Sequence, residues 1–336
     1  MDIDETLDAG TLDPAWGLPL DRPFLSRAAT EAGCSRRQLD QLVALGLLRR
    51  PVKGVLVCAD VTEDVALRAE SLRLIAPPDA VVTDRHAAWL HGAEGALAPG
   101  EHLALQPISV VLPPRRGRLR NSITAGGERD LAEHDVTRIR GLAVTTRLRT
   151  AHDLGRRRWP DEALAGVDAM HRLPGFDHAA FLAGIERYAG RRWIRTLREV
   201  GPLADGRAES PAESILRLRC LECGIDVVPQ FDLWDGDHHV ARFDLAVPEL
   251  RIAFEYDGEE WHSTPEQREH DRLRREAARR LGWLIVVIRK EHLFGQSRTA
   301  ETRIREGYAE ALRRAGRSPY WRLEPSRENR PHRDPA

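Results

Sequence analysis

Two apolar segments joined by a short turn restrict most strongly how this chain can fold. The segments are VARFDLAV at 240–247 and RIAFEYDG at 251–258, and both alternate apolar and polar residues over much of their length. Successive residues of a strand point to opposite faces of a sheet, so antiparallel pairing around the turn places Leu245 opposite Phe254. A slip of one residue would move acidic side chains into the core, so the pattern predicts this register.

One face of the predicted hairpin is apolar and the other is acidic. The apolar face carries Phe243, Leu245, Val247, Ile252, Phe254 and Tyr256. The acidic face carries Arg242, Asp244, Ala246, Ala253, Glu255 and Asp257. Carboxylates that converge raise each other's free energy unless a positive group lies between them. The pattern therefore indicates a site for a hard cation such as Mg²⁺, and the alternative is an exposed sheet face on which Arg242 makes ordinary ion pairs.

The segments around the hairpin predict a mixed α/β domain over 207–316. Ser210 is a helix N-cap followed by a proline, and Glu213 completes a capping box. Further along the chain follow a strand at 226–234, the hairpin, a long charged helix from 264 to 282, a buried strand at 283–290 and a helix at 298–316. This α-β-β-β-α-β-α order predicts a central sheet flanked by helices.

A set of residues in this domain resembles very-short-patch-repair-like endonucleases, a branch of the PD-(D/E)XK superfamily. The matching residues are Asp244, Glu255, Asp257, Gly258, Trp261, His262, Asp271 and Arg274. The resemblance covers roughly 209–315. It implies a restriction-endonuclease-like fold and hydrolysis of DNA phosphodiester bonds with Mg²⁺ or Mn²⁺.

The resemblance also implies a role for each matching residue. Asp244 would be the essential metal ligand and Glu255 the second acid, with the backbone carbonyl of Tyr256 completing the shell. His262 would activate water or protonate the leaving oxygen, which suits an imidazole near neutral pH. Glu213 matches a helix glutamate that supports the metal, although its place in a capping box explains it without chemistry.

The site departs from the superfamily pattern at Asp257. Asp257 stands where many members have a lysine, so water activation by lysine at that position is absent, and Asp257 joins the candidate catalytic residues. Lys290, after the last strand, is a candidate substitute. Arg274 and Arg275 lie on the long charged helix and are candidate contacts to the DNA backbone, whereas the alternative is a surface helix laced with ion pairs.

The N-terminal region predicts a winged helix-turn-helix at 21–60, after a flexible acidic lead at 1–20. Two short helices are separated by Ser35, the N-cap of the second, and are followed by a basic turn and a strand at 55–57. Arg36, Arg37 and Gln38 open the second helix, whose first residues reach base edges in such folds, and Lys53 lies in the turn. The alternative is a helical hairpin that serves packing or dimerisation.

The middle region, 61–200, predicts a further α/β part. Its segment LAVTTRLRTAHDL at 142–154, together with the winged helix before it, resembles AbiEi-type antitoxins. That resemblance implies a bacterial DNA-binding regulator with a toxin partner. A basic stretch at 187–200 predicts one helix with arginines on a single face, which is either solvated or tracks phosphates; these are Arg187, Arg191, Arg192, Arg195 and Arg198.

Composition excludes several other classes of protein. The chain has 336 residues, of which 42% are apolar and 31% charged, and its net charge of −1 argues neither for nor against nucleic acid. No apolar run approaches the about 20 residues of a membrane span and no signal peptide is evident, so we expect a cytoplasmic protein that does not bind a membrane. Cys220 and Cys223 read as buried helix cysteines rather than as a zinc or redox pair. The tail at 317–336 is expected to be disordered.

Two functions follow from these patterns. The first is a Mg²⁺-dependent DNA endonuclease or nickase in bacterial defence or DNA repair; a nick needs one site, whereas a double-strand cut usually needs a homodimer. The second is a DNA-binding regulator or antitoxin whose nuclease-like domain is catalytically silent. A metal-dependent hydrolase with another substrate fits the arginine-rich stretches less well.

Overall fold

A computed structural model describes residues 12–93, 95–96, 107–117, 124–258, 265–294 and 299–318. The chain divides into two compact units, Met1–Gly206 (unit 1) and Arg207–Ala336 (unit 2). Helices accompany mixed or antiparallel sheets in both units, which confirms the predicted α/β class. Among the described helices, none combines the length and the apolar character that crossing a membrane requires.

The first part of unit 1 is a small sheet with two helices. Its elements are β1 (Phe24–Leu25), α1 (Ser26–Glu31), α2 (Arg36–Ala44), β2 (Leu48–Arg49) and β3 (Val55–Cys58). The three strands pair antiparallel in the order β1-β3-β2. Ser35 caps α2 as predicted, and Gln38 completes a capping box with it. The core between helices and sheet includes Leu39, Leu42 and Leu56.

The second part of unit 1 surrounds a five-stranded mixed sheet in the order β6-β5-β4-β8-β7. Its strands are β4 (Val81–Val82), β5 (Ile108–Val111), β6 (Thr124–Ala125), β7 (Val136–Ile139) and β8 (Leu142–Thr145). Its helices are α3 (Val65–Arg73), α4 (Asp84–Leu90), α5 (Arg147–Gly155), α6 (Pro160–His171), α7 (His178–Ala183) and α8 (Ile194–Val200). The segment LAVTTRLRTAHDL supplies β8 and most of α5.

The basic stretch at 187–200 is not the single helix that its spacing predicts. A 3-10 helix at Ile185–Tyr188 precedes a break, and α8 begins only at Ile194. Gly190 and Trp193 both have positive φ, 73° and 63°, so helical periodicity stops between them. The prediction of one arginine face was therefore wrong.

Unit 2 contains a four-stranded sheet in the order β12-β11-β10-β9. Its elements are α9 (Pro211–Glu222), β9 (Val228–Asp235), β10 (His238–Val247), β11 (Ile252–Asp257), α10 (Pro265–Arg280), β12 (Leu284–Arg289), α11 (Lys290–Phe294) and α12 (Ala300–Arg314). Strands β9, β10 and β11 are antiparallel neighbours, whereas β11 and β12 are parallel. The predicted α-β-β-β-α-β-α order is present, with the short α11 added.

The predicted hairpin register is present next to the turn. Leu245 pairs with Phe254, and two further pairs follow toward the 3-10 turn at Pro248–Leu250. On one face Leu245 and Phe254 pack in a cluster with residues of α9 and α12. Cys220 of α9 is buried in this cluster, whereas Cys223, the C-cap of α9, is half-buried against it.

The second face of the hairpin is buried rather than exposed near the turn. Ala246 and Ala253 pack against Ala278 of α10 and against Trp283. The small alanine side chains therefore leave room for a helix and an indole ring. Phe243, predicted on the first face, instead packs against Trp283 with ring centroids 4.9 Å apart. In the described structure the pairing of β10 with β11 ends at Leu245. Beyond that residue, alternation along the hairpin no longer determines the face on which Phe243 packs.

Candidate functional site

Asp244 lies where the ladder between β10 and β11 ends. Its Oδ2 accepts a hydrogen bond of 2.7 Å from the backbone N–H of Tyr256. The carboxylate thus takes the place that a backbone carbonyl has in a continued ladder. This contact turns Asp244 toward β11 and holds it in a half-buried position next to the strand that carries Glu255.

Glu255 is a buried acid with only 3% of its surface exposed. Its Oε2 accepts a hydrogen bond of 2.8 Å from Nε of Arg275. Its Oε1 lies 3.3 Å from a guanidinium nitrogen of Arg274, yet it has no hydrogen-bond partner among the described residues. A buried carboxylate oxygen without a hydrogen bond is costly, so this atom indicates a site that another positive group can complete.

Two arginines of α10 are the positive groups beside the acids. Arg275 also reaches Asp257, whose Oδ2 lies 3.4 Å from its guanidinium group. Arg274 donates a hydrogen bond of 2.8 Å to the backbone carbonyl of Arg242. The sequence predicts DNA-backbone contacts for Arg274 and Arg275, and in this structure both turn toward the acidic residues of the sheet.

Glu213 occupies the third position of α9, as predicted, but its carboxylate does not close a capping box. Ser210 accepts the backbone N–H of Glu213 at 3.2 Å. The Glu213 carboxylate instead accepts the N–H of Glu209 at 2.8 Å and the side-chain amide of Gln230 at 2.7 Å. The acid therefore links the start of α9 to Gln230 of β9.

Gln230 is a site residue that the sequence analysis missed. Its backbone φ is +52°, which is uncommon for a residue other than glycine and costs free energy in a strand. The unusual backbone accompanies the amide contact to Glu213. Nothing in the alternation of β9 marks this residue, because its role depends on where α9 packs.

The acids of unit 2 influence one another electrostatically. Burial, and to a smaller extent the carboxylates of Glu213 and Glu255, raise the pKa of Asp244 from its ordinary value to about 7. The N–H of Tyr256 and the charge of Arg274 oppose that rise. Ionised Asp244 therefore lacks sufficient positive charge around it in the metal-free protein.

The kinds of ligand atom at this site suit a metal ion, but their arrangement in the structure does not. The carboxylates of Asp244, Glu255 and Glu213 are oxygen ligands of the kind that Mg²⁺ and Mn²⁺ take. Within the described ranges, however, no group of three or more His, Cys, Asp or Glu side chains is arranged to hold a metal ion. His262 and Trp261 lie outside the described residues, as does the side chain of Asp271. The carboxylate oxygens suit a hard cation, whereas in the structure Glu255 and Asp257 pair with arginine.

The predicted DNA contacts of unit 1 have different surroundings. Arg36 and Arg37 are exposed at the start of α2. The Oε1 of Gln38 accepts hydrogen bonds from the backbone N–H and the hydroxyl of Ser35, at 2.9 and 2.8 Å, so that atom is committed to the cap. Lys53 is half-buried in the turn between β2 and β3.

Comparisons with known proteins assign no activity. No protein-family model matches the chain. Two uncharacterized proteins of Mycobacterium tuberculosis, MT2308 of strain CDC 1551 and Rv2248 of strain H37Rv, are each 34% identical to it over 154 residues. That match covers 46% of this chain and 57% of each relative, so the chain spans less than two thirds of their length. The crystal structure of the RV2827C protein from the same species has a TM-score of 0.29 and 16% identity, over 69% of this chain and 88% of that one.

Proposed function

We propose that unit 2 carries the active site of a metal-dependent DNA endonuclease or nickase. The observation that carries the proposal is the acid Asp244 at the end of a broken ladder, whose pKa is raised to about 7 by burial and, to a smaller extent, by the charges of Glu213 and Glu255. A buried acid with a strongly raised pKa is typical of catalytic sites. The proposal includes a restriction-endonuclease-like fold for 207–316, supported by the order of elements and by the resemblance carried by Asp244, Glu255 and Asp257.

Each acid has a part in this proposal. Asp244, Glu255 and the carbonyl of Tyr256 would hold the ion, with Glu213 beside them. Polarisation of the scissile phosphate and a lower pKa for water are the chemistry that a bound Mg²⁺ or Mn²⁺ supplies. Asp257 stays a candidate catalytic residue, and His262 is proposed to move a proton to or from the reacting oxygens.

Arg275 links the metal-free arrangement to substrate binding. Its guanidinium group now neutralises Glu255 and Asp257, at 2.8 and 3.4 Å. A cation bound to the acids would replace Arg275 as their positive partner. Arg275 and Arg274 would then be able to bind phosphate oxygens of DNA. Both arginines are therefore proposed to leave the acids and pair with DNA phosphates once a cation is bound.

Unit 1 is proposed to bring this site to DNA. The order of α1, α2 and the β1-β3-β2 sheet supports a winged helix-turn-helix in 21–60. Exposed Arg36 and Arg37 at the start of α2 suit contacts to base edges or phosphates, and Lys53 lies in the turn that would form the wing. The capping contacts of Gln38 make it the weakest member of the predicted set.

A DNA-binding regulator with a silent site is the second candidate function, and the arginine contacts favour it. Arg275 already supplies positive charge to two of the acids, so the unit 2 site is partly neutralised without any metal. The resemblance to AbiEi-type antitoxins adds a toxin partner to this candidate. Under it the protein binds DNA and cuts nothing.

Cleavage of supercoiled plasmid separates the two candidates. The full chain is incubated with Mg²⁺, Mn²⁺ or EDTA, beside Asp244→Asn and a control, Glu249→Gln, which alters an exposed acid in the turn of the same hairpin. The nuclease proposal expects metal-dependent nicking that Asp244→Asn abolishes and Glu249→Gln keeps. A salt-dependent gel shift by all three proteins, without cutting under any metal, would assign the chain to the regulator class.

A further inference from the structure

A cavity in unit 1 has the composition of an anion site. It has a volume of about 820 Å³ and lies between the segments 128–132, 156–159 and 187–193 and the side of α5. Eight arginines and five carboxylates line it, together with two tryptophans and a tyrosine. Small-molecule sites commonly have volumes of about 300–1,000 Å³, so the cavity is large enough for a ligand of several rings or phosphates.

Buried Asp153 fixes three of the arginines on one side of this cavity. Its side chain is 1% exposed. It accepts hydrogen bonds from Arg129 at 2.8 Å and from Arg149 at 2.9 Å, and also pairs with Arg156. Arg129 also pairs with Asp84, and the eight arginines of the lining still outnumber its five carboxylates, which leaves an excess of positive charge at the cavity.

Buried Asp135 holds a fourth arginine, Arg187, in the same way. It accepts a hydrogen bond of 2.8 Å from Arg149 and two of 2.7 Å from Arg187. Arg149 thus links the two aspartates. Because both acids are almost fully buried, the guanidinium groups are oriented before any ligand arrives, which reduces the entropy lost on binding.

Four further arginines line the cavity without an ion pair to any carboxylate in the part of the chain that the structure describes: Arg157, Arg158, Arg191 and Arg192. Two of them stack on aromatic rings. Arg158 lies over Trp159 at 4.6 Å, and Arg192 lies over Trp193 at 4.9 Å. Trp159 is 55% exposed, so one large aromatic surface is available at the rim.

The hydroxyl of Tyr188 is a second, independent sign of a ligand. Tyr188 is 5% exposed, and its ring lies under Arg156 at 4.6 Å. Tyr188 lines the cavity, and its buried hydroxyl has no hydrogen-bond partner among the described residues. A buried hydroxyl without a partner is costly, and a ligand oxygen that reached it would satisfy it.

We propose that this cavity binds a nucleotide, with its phosphates on the arginines and the Tyr188 hydroxyl and its base on Trp159. Guanidinium groups pair with phosphate oxygens through two parallel hydrogen bonds, and a tryptophan face stacks on any base. The excess of arginine over carboxylate matches a multiply charged ligand. Every residue of the cavity belongs to unit 1, so the proposal does not depend on cleavage by unit 2.

Calorimetric titration of the full chain with ATP, in EDTA, tests the proposal. We expect one saturable site that weakens with added salt. The Arg191→Ala/Arg192→Ala double variant should bind at least about tenfold more weakly, since it loses charged hydrogen bonds to the phosphates. Tyr188→Phe, which removes one hydroxyl, should weaken binding about threefold to tenfold. Arg195→Ala, an exposed arginine of the same stretch outside the cavity, is the matched control and should bind as the unaltered chain does.

Two further titrations define the ligand. Tripolyphosphate has the charges without a base, so we expect it to bind more weakly than ATP and to be unaffected by Trp159→Ala. A 5′-phosphorylated oligothymidylate that competes with ATP more strongly than AMP does would place the nucleotide at a strand end; weaker competition would identify a free nucleotide. Absence of ATP binding at millimolar concentration, equal loss in Arg195→Ala, or equal affinity for tripolyphosphate and ATP would overturn the proposal.

Discussion

At the residue scale, two acids of unit 2 lie in surroundings that destabilise their charged forms or leave an oxygen without a hydrogen bond. Asp244 is tied to Tyr256 by one hydrogen bond but lies near Glu213 and Glu255, so its ionised form is disfavoured. Glu255 keeps a buried oxygen without a hydrogen bond in the described structure. Such departures from a satisfied interior are expected at functional sites.

Removal of the Asp244 charge should stabilise the metal-free protein at high pH only. Burial raises the pKa of this carboxyl from 3.8 to about 7 in the folded protein, so the folded state holds the proton more tightly between these values. Stability therefore falls as the pH rises from 3.8 to about 7, and the penalty persists above that. We expect Asp244→Asn to gain about 1–3 kcal/mol at pH 8 and nothing at pH 4, measured by urea unfolding in EDTA.

Glu249→Gln is the control for that experiment, because it removes an exposed carboxylate from the same hairpin. It should change stability little at either pH. An equal gain for both variants, or no gain for Asp244→Asn at pH 8, would contradict the electrostatic account of the site.

Loss of Arg275 should destabilise the protein in a way that a divalent cation repairs. Arg275→Gln leaves buried Glu255 without its 2.8 Å partner, and breaking a buried ion pair costs about 3–5 kcal/mol. Thermal unfolding in EDTA should show the loss, and millimolar Mn²⁺ should raise the melting temperature of the variant more than that of the unaltered chain. Equal shifts in the two proteins would show that the cation does not replace the arginine.

At the scale of elements, alternation determined what the sequence could predict. The hairpin register and the order of elements in unit 2 follow from local patterns that a one-residue slip would ruin. The arginine contacts of α10 could not be predicted, because that helix carries six arginines around a few apolar residues and only its packing selects Arg274 and Arg275. The prediction of one helix over 187–200 was wrong for a related reason, because the positive φ at Gly190 and Trp193 interrupts a spacing that looks helical. The role of Gln230 depends entirely on tertiary contact.

Close packing of α12 on the sheet should make Gly307→Ala destabilising. Alanine favours a helix over glycine by about 1 kcal/mol, yet a Cβ at Gly307 would lie 2.5 Å from Cγ2 of Val286. Overpacking commonly costs about 1–3 kcal/mol, so we expect a net loss in urea unfolding. Val286→Ala should relieve it, and additive losses in the double variant would refute the contact.

At the scale of the whole molecule, DNA binding is proposed for unit 1 and cleavage for unit 2. Arg36→Ala/Arg37→Ala should weaken binding to duplex DNA and lower the slope of log affinity against log salt by about 1–2, as expected for two lost phosphate contacts. Asp244→Asn should leave both unchanged. Gel shifts over a salt series measure this, with Arg195→Ala as the control; a slope unaffected by the double variant would remove α2 from the DNA interface.

The proposed function requires that the acids of unit 2 bind a divalent cation. Mn²⁺ binding measured by electron paramagnetic resonance tests this requirement most directly. The account predicts saturable Mn²⁺ binding by the full chain, lost in Asp244→Asn and retained in Glu249→Gln. Equal binding by all three proteins, or no binding at millimolar Mn²⁺, would contradict a metal-dependent nuclease at this site and leave a DNA-binding regulator as the better description.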